Sequence, residues 1–239
     1  MPNNCDITAV ILAGGFGTRL QPIVSDRPKV LAEISGRPFL AYLLDQLVSA
    51  GIRKAVLCTG YMADMVRDCF GDTYNSLRLL YSKEETPLGT GGAIRLALPH
   101  ISSDVVLVMN GDSYINVGLD IFLDWFFEEN RQAALLLTKV NNTSRYGRIG
   151  LDKNKKIEFF EEKGNNSGSG WINAGIYLIN KSLINRIPPH QPYSLEKQFF
   201  PELAGDRLFG FCFEGQFIDI GTPESYAKAE VFFADKKLE

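Results

Sequence analysis

The sequence predicts an α/β protein with a mostly parallel central sheet and helices on both faces. Short apolar runs recur through the first half of the chain, and segments with apolar residues at helical spacing separate them. Strands that alternate with helices in this order form parallel sheets that helices cover on both sides. The 239 residues suffice for one domain with a sizeable core.

Residues 1–140 are therefore divided into five strands and four helices. We expect strands at 7–12, 54–59, 77–81, 104–109 and 133–140, and helices at 38–50, 62–70, 91–98 and 119–130. Gly51 is placed to end the first of these helices.

The second half of the chain has a different texture. From Tyr146 onward, strand-like runs at 148–151, 156–161 and 171–179 alternate with polar turns. We interpret residues 1–140 as a core and residues 141–239 as a smaller β lobe followed by a final strand and helix. In that last helix, Thr222 is expected to be the N-cap and Pro223 the first helical residue.

Composition excludes several classes of function. A net charge of −3 argues against non-specific binding to nucleic acid or to an acidic membrane. The four cysteines show no Cys-x-x-Cys spacing and there are only two histidines, so no zinc cluster is expected. Scattered thiols and the lack of a signal peptide or membrane-spanning run predict a cytoplasmic protein.

A glycine-rich loop follows the first strand and predicts a polyphosphate site. It contains Gly14, Gly15 and Gly17, and the cations Arg19 and Lys29 follow. Glycines let backbone N–H groups approach an anion, and the two side chains match phosphate oxygens. The loop lacks the Lys of a P-loop and the third glycine of a dinucleotide-binding fingerprint, which makes a dinucleotide-dependent oxidoreductase a weaker interpretation.

Two carboxylates, Asp112 and Asp219, come at the ends of apolar runs. Asn110-Gly111-Asp112 could be a simple turn that caps the following segment, but a carboxylate at a strand end is also a magnesium ligand of the usual kind. Local turn and cap chemistry accounts for Thr222 and Pro223 but leaves Asp219 unexplained.

The string from Gly14 to Pro22, with Pro28-Lys29 after it, resembles the signature of the sugar-1-phosphate nucleotidyltransferases. These enzymes join a nucleoside triphosphate to a sugar 1-phosphate and release pyrophosphate. The resemblance covers nearly the whole chain and implies a Rossmann-like nucleotide-diphospho-sugar transferase fold with a sugar-binding lobe. It also implies Mg²⁺ as cofactor. Since the chain ends soon after the last helix, we do not expect the β-helical extension that some relatives carry.

The resemblance assigns roles to individual residues. Arg19 would hold pyrophosphate, Lys29 would lie near the α-phosphate, and Asp112 and Asp219 would bind Mg²⁺. Nucleotide-binding residues would be Leu12, Ala13, Gly14, Gly15, Gly17, Thr18, Glu84, Pro87, Gly89 and Thr90. The sugar phosphate would contact Gly111, Tyr146, Gly147, Glu162, Lys163 and Asn173, with Lys163 also catalytic. Ala174 departs from the family pattern, which often has glycine beside the Asn.

The base is predicted to be guanine. Glu84 stands where thymidylyl- and uridylyl-transferring members tend to carry Gln. A carboxylate accepts the two adjacent donors of guanine, N1–H and N2–H₂, in bidentate fashion. Glu85 remains an alternative reader, and some uridylyl-transferring members carry Glu at this position, so a uridylyl- or thymidylyltransferase stays open.

Within the family, the motifs are similar to those of heptose 1-phosphate guanylyltransferases, with mannose-1-phosphate guanylyltransferases as the nearest alternative. The expected partners are GTP and a sugar 1-phosphate. A catalytically silent nucleotide-sugar sensor on the same fold would be marked by loss of Arg19, Lys29, Asp112 or Asp219, and all four are present. The sequence leaves open whether the chain forms a homo-oligomer.

Overall fold

The computed structural model describes residues 4–161, 164 and 168–234. The strands are β1 (Thr8–Leu12), β2 (Glu33–Ile34), β3 (Arg37–Pro38), β4 (Lys54–Thr59), β5 (Thr73–Tyr74), β6 (Leu77–Lys83), β7 (Val105–Asn110), β8 (Ser113–Ile115), β9 (Ala133–Val140), β10 (Ile149–Leu151), β11 (Ile157–Phe160), β12 (Gly170–Asn180), β13 (Leu208–Cys212) and β14 (Phe217–Asp219). The helices are α1 (Phe39–Ser49), α2 (Ala63–Phe70), α3 (Gly89–Ala97), α4 (Leu119–Glu128), α5 (Lys181–Ile184), α6 (Phe200–Leu203) and α7 (Pro223–Ala234).

Eight strands form the central sheet in the order β13-β9-β12-β7-β1-β4-β6-β5. The strands β7, β1, β4 and β6 run parallel to one another, and β9 and β13 form a second parallel pair. Only β12 and β5 run antiparallel to their neighbours in this sheet, among the residues that the structure describes. The mostly parallel sheet predicted from the sequence is confirmed.

Both faces of the sheet are covered by helices, which explains why its strands are apolar throughout. In β1, Ala9 and Ile11 pack on the side of α1, α4 and α7, whereas Val10 packs on the side of α3, α5 and α6. All three side chains are fully buried. A strand buried on both faces has no polar alternation, as expected for parallel sheets.

The predicted helix ends agree with the structure to within a few residues. Gly51 follows α1 with a φ of +77°, in the left-handed region that glycine adopts most readily. At α7, Pro223 is the first helical residue, and the Ser225 N–H donates to the Thr222 hydroxyl over 3.3 Å. Both helix-end predictions are confirmed.

The β lobe predicted for residues 141–239 includes a strand that belongs to the central sheet. The run expected at 171–179 is β12, which lies between β7 and β9 in the central sheet. Its residues are largely buried from Ala174 to Ile179, so both of its faces are covered and it behaves as an inner strand. The edge strand β13 was not predicted. Among the described residues, three strand pairs lie apart from the central sheet: β2–β3, β10–β11 and β8–β14. Of the predicted lobe, only the β10–β11 hairpin and the strand β14 belong to these pairs.

Candidate active site

The carboxyl ends of β1, β4, β6 and β7 lie together at one edge of the sheet. Beyond the strands, the Ala13 N–H donates to the Cys58 carbonyl over 2.8 Å, and the Gly111 N–H donates to the Leu12 carbonyl over 2.9 Å. A Cβ on Gly111 would lie 2.4 Å from the Leu12 oxygen, so only glycine permits this approach. The loops that leave these strands therefore start side by side.

The glycine-rich loop turns tightly at Gly17. This residue has a φ of +62°, and its carbonyl accepts hydrogen bonds from the N–H groups of Leu20 and Gln21. A Cβ on Gly17 would come within 3.2 Å of the Lys29 Cβ. The buried Leu20 anchors the end of the turn, while Arg19 stays exposed. The loop thus brings a tightly turned backbone and an exposed guanidinium to the same edge of the sheet.

The first cavity lies between this loop and the loop after β6, and its volume is about 290 Å³. Its walls are formed by Leu12, Ala13, Gly14, Gly15, Phe16, Lys29, Val30, Cys58, Glu84, Pro87, Gly89, Thr90, Ala93, Asn110, Gly111 and Asp112. Gly17 and Thr18, also predicted to hold the nucleotide, do not line it. Gly111, predicted to contact the sugar, lies here instead, because its packing against Leu12 turns it to this side.

Glu84 forms one wall of the first cavity. Its Oε2 accepts the Leu88 N–H over 3.0 Å, and its side chain packs over Gly14 and Gly60, where a Cβ would lie 2.7 Å and 3.0 Å from Oε1. Burial raises the pKa of the Glu84 carboxyl, and the Leu88 hydrogen bond partly opposes that rise. Glu85 is exposed and does not line the cavity. The geometry therefore favours Glu84 over Glu85 as the group that a base would meet.

The start of α3 is tied to a distant segment of the chain. The N–H groups of Gly91 and Gly92 both donate to the Tyr193 carbonyl, over 2.9 and 3.1 Å. A Cβ on Gly89 would lie 2.8 Å from the same oxygen. These glycines are therefore required for packing, and two N–H groups of the first helical turn are used by the fold.

Asp112 and Asp219 are brought together by the pairing of β8 with β14. Asp219 lies opposite Ser113, and the Ile220 N–H donates to the Asp112 carbonyl over 2.8 Å. The Asp112 Oδ2 lies 2.5 Å from the Lys29 Nζ, in an ion pair whose Lys side chain is 15% exposed. Two carboxylates separated by about half the chain thus face the same region.

Asp219 is held by a dense set of donors. Its Oδ2 accepts the Tyr146 hydroxyl over 2.5 Å, and the Arg145 Nη2 lies 3.1 and 3.2 Å from its two oxygens. The Gly221 N–H and the Ser225 hydroxyl complete the set on Oδ1, at 2.9 and 3.4 Å. Burial and the Asp219 carboxylate both raise the pKa of Tyr146, which therefore stays a neutral donor.

These carboxylates fit a magnesium ion by donor chemistry. Mg²⁺ takes one or two protein carboxylates and completes its shell with water and substrate phosphates. Within residues 4–161, 164 and 168–234, no group of three or more Asp, Glu, His or Cys side chains could hold a metal. A metal at this place would therefore rely on Asp112, Asp219 and its substrates.

The second cavity, of about 810 Å³, opens on the other side of Asp112. Its polar and glycine lining consists of Arg19, Asn110, Asp112, Ser113, Arg145, Tyr146, Gly147, Arg148, Glu158, Glu161, Asn173, Gly175, Ser194, Glu196, Lys197 and Asp219. Asn110 and Asp112 line both cavities, which therefore meet at the end of β7. Glu162 and Lys163, predicted to hold the sugar phosphate, lie outside the described residues.

A buried hydrogen-bond network connects the two cavities. The Tyr177 hydroxyl accepts the amides of Asn110 and Asn173 over 3.2 and 3.0 Å, and lies 3.5 Å from the Glu196 carboxylate. The Thr90 hydroxyl donates to that carboxylate over 2.7 Å. Complete burial raises the pKa of Tyr177 well above its ordinary value. The neutral Tyr177 hydroxyl thus holds the Asn173 amide in one orientation.

Sequence reasoning missed several of the residues that line these cavities. In the first cavity they include Phe16 and Cys58, and in the second Arg145, Arg148, Glu196 and Lys197. Arg145 and Arg148 flank Tyr146-Gly147, which the sequence did single out, so the spacing of cations around that pair was an available signal. Glu196 had none, because its partners Thr90 and Tyr177 are distant in sequence.

The chain belongs to the nucleotidyl transferase family, whose model matches residues 8–236. It is 35% identical to a D-glycero-alpha-D-manno-heptose 1-phosphate guanylyltransferase of Aneurinibacillus thermoaerophilus, over 93% of this chain and 96% of that protein. A protein of the same name from Campylobacter jejuni is 34% identical, over 91% of this chain and 96% of its own length.

Solved structures agree with this assignment. HddC from Yersinia pseudotuberculosis, complexed with GMP-PN, superimposes with a TM-score of 0.84 and 35% identity, covering 95% of this chain and 99% of that one. Among more distant relatives, the mannose-1-phosphate guanylyltransferase of Mycobacterium tuberculosis is 33% identical, over 93% of this chain and 63% of its own length. The protein is therefore a nucleotidyltransferase with guanylyltransferase relatives.

Among the described residues, no helix is both long enough and apolar enough to span a membrane.

Proposed function

We propose that this protein transfers GMP from GTP to D-glycero-α-D-manno-heptose 1-phosphate, giving GDP-heptose and pyrophosphate. The observation that carries the proposal is the placement of Asp112, which lies on the walls of both cavities. A nucleotide in the first cavity and a sugar phosphate in the second would meet there. Relatives that match this chain nearly end to end bear that enzyme name.

The reaction requires positioning more than proton transfer. An oxygen of the sugar 1-phosphate is already anionic at neutral pH, so it needs no general base to attack the α-phosphorus. Catalysis then rests on alignment and on neutralising the charge of two anions that approach each other. The cations around the meeting point, Lys29 and Arg19, suit this task because both face the region of Asp112 and Asp219.

The residues around the two cavities have different roles in the proposed reaction. Lys29 contacts the α-phosphate, Arg19 holds the departing pyrophosphate, and Glu84 accepts the guanine N1–H and N2–H₂. Mg²⁺, when bound to Asp112 and Asp219, supplies charge neutralisation at the α-phosphate. Tyr146, Gly147 and Asn173 hold the sugar, and Glu162 and Lys163 stay predicted partners of its hydroxyls and phosphate.

Mannose 1-phosphate is the second candidate for the acceptor. It is favoured by the similarity to mannose-1-phosphate guanylyltransferases, of which the chain spans only about two thirds. The two acceptors differ only at the sugar, so the same nucleotide geometry serves both.

A matrix of pyrophosphate-release assays tests the proposal. The four ribonucleoside triphosphates and dTTP would each be combined with heptose, mannose and glucose 1-phosphates, with and without Mg²⁺. The proposal predicts one strong combination, GTP with the heptose, that depends on Mg²⁺. A strong reaction with another base would contradict the guanine assignment, and GTP binding without turnover on any sugar would favour a sensor.

A further inference from the structure

Arg145 contacts the second of the two carboxylates, and sequence reasoning assigned it no role of its own. Its Nη2 lies 3.1 and 3.2 Å from the Asp219 oxygens, and its guanidinium lies 5.3 Å from the centre of the Tyr146 ring. The Arg145 side chain is 45% exposed, whereas that of Asp219 is only 15% exposed. An exposed cation thus covers a nearly buried anion at the wall of the second cavity.

The partners of Asp219 differ in how readily they can leave. A carboxylate has about four acceptor positions, and Asp219 uses them on Arg145, Tyr146, Gly221 and Ser225. Gly221 and Ser225 belong to the turn that starts α7, and Tyr146 is partly buried. Arg145 is the partner that can move without disturbing an element of the fold.

The charges of this cluster are balanced in the structure as it stands. Asp112 pairs with Lys29 and Asp219 pairs with Arg145, so the four side chains sum to zero. A divalent cation bound to both carboxylates would change that sum to two positive charges and repel the two basic side chains. Anionic phosphates would then be the natural new partners of Lys29 and Arg145.

We propose that Arg145 is a phosphate-binding residue which Asp219 holds until a divalent cation takes that carboxylate. The released guanidinium then binds the phosphate of the acceptor, a phosphate monoester, in the second cavity. A planar guanidinium matches two phosphate oxygens at once, which a lysine cannot do. The inference deepens the proposed function and rests on it for the identity of the acceptor.

A purely structural role for Arg145 makes the opposite prediction about metal binding. If Arg145 only positioned Asp219, its removal would disorder the carboxylate and weaken the binding of a divalent cation. If Arg145 competes with the cation, its removal strengthens that binding. The sign of the change separates the two roles without any turnover.

The first test measures Mn²⁺ binding to the free protein by electron paramagnetic resonance, with no nucleotide or sugar present. Arg145→Met is expected to lower the dissociation constant for Mn²⁺ about fivefold relative to the wild type, because one nearby positive charge is lost. Arg78→Met, which removes an exposed arginine from β6 outside both cavities, is the control and should leave it unchanged. Unchanged or weaker binding in Arg145→Met would overturn the proposal.

The second test concerns the phosphate itself. With Mn²⁺ present, Arg145→Met should bind inorganic phosphate more weakly than the wild type, and should raise the KM for the sugar 1-phosphate about tenfold with a smaller change in kcat. Arg145→Lys should recover part of the loss. Phosphate affinity equal to that of the wild type in Arg145→Met would also overturn the proposal.

The identity of the acceptor is tested by a separate measurement, the turnover of heptose 1-phosphate by the wild-type protein. No turnover would contradict the acceptor assignment, while the Mn²⁺ and inorganic phosphate measurements would still decide the role of Arg145. Thermal unfolding of each variant establishes that the changes in binding come from folded protein.

Discussion

The two cavities share Asp112, but their walls are formed by different kinds of residue. The first is walled largely by backbone and small residues that follow adjacent strands, such as Ala13, Gly14 and Gly111. The second is walled by long charged side chains that come from separate segments of the chain, such as Arg145 in a turn, Glu158 in β11 and Lys197 in a short helical segment. A site made of backbone depends on the fold and tolerates few substitutions, whereas a site made of side chains can change specificity one residue at a time.

The strongest test of the shared wall is Asp112→Ala. Loss of this carboxylate is expected to lower turnover by about a thousandfold. Without it, Mg²⁺ would no longer be held where the two substrates meet, and the charge of their phosphates would not be neutralised there. Pyrophosphate release measures the effect. Asp124→Ala, on the exposed side of α4, removes the same group from a remote site and should keep normal turnover. Normal turnover in Asp112→Ala would remove this residue from the reaction.

The base-reading part of the first cavity is tested by Glu84→Gln. An amide cannot accept both guanine donors, so the preference for GTP over UTP and ATP in kcat/KM should fall about tenfold or more. Glu85→Gln is the matched control, since Glu85 is exposed and lies outside the cavity. If Glu85→Gln lost the preference and Glu84→Gln kept it, the assignment of the base reader would be reversed.

The backbone character of the first cavity is tested by Gly111→Ala. The new Cβ would lie 2.4 Å from the Leu12 carbonyl oxygen, so the strand ends must separate. We expect the free energy of unfolding to fall by about 2 kcal/mol, and the melting temperature by about 4–8 °C. Gly15→Ala has no neighbour within 4 Å of its Cβ and should melt close to the wild type. Equal melting temperatures for both variants would contradict this packing argument.

The smallest expected effect is the pH dependence of stability that Glu84 contributes. Burial raises the pKa of Glu84 in the folded state above its ordinary value. The folded state therefore favours the protonated Glu84 carboxyl, which adds to the free energy of unfolding. This stabilisation is complete at pH values below the ordinary pKa of Glu84 and is lost as the pH rises through its raised pKa in the folded state. The melting temperature of the wild type minus that of Glu84→Gln should fall as the pH rises from 4.5 towards neutrality. A constant or rising difference would contradict the assigned burial.

The same contrast explains how much the sequence could predict. Apolar runs predicted the parallel strands β1, β4, β6, β7 and β9. Contiguous motifs singled out Glu84 and the two carboxylates, because local order determines which residues follow a strand end. The sequence did not place β12 in the central sheet, since an antiparallel insertion depends on contacts with β7 and β9 rather than on local pattern.

Other parts of the fold were missed for identifiable reasons. The strand β13 contains Gly210, which weakens a strand pattern, yet its lack of a side chain leaves room for Leu137 and Leu151. Glu196 acts through Thr90, which is remote along the chain, so no spacing rule could have selected it. Arg145 stands next to Tyr146-Gly147, but its contact with the distant Asp219 follows no local pattern.

The central claim is that a nucleotide and a sugar phosphate meet at Asp112, so that the α-phosphorus of GTP passes to the sugar phosphate. The most direct test uses GTP labelled in turn at the α- and γ-phosphorus, with heptose 1-phosphate and Mg²⁺. The account predicts that the α label appears in GDP-heptose and the γ label only in pyrophosphate. A γ label on the sugar product, or an α label in free GMP without a nucleotide sugar, would contradict it.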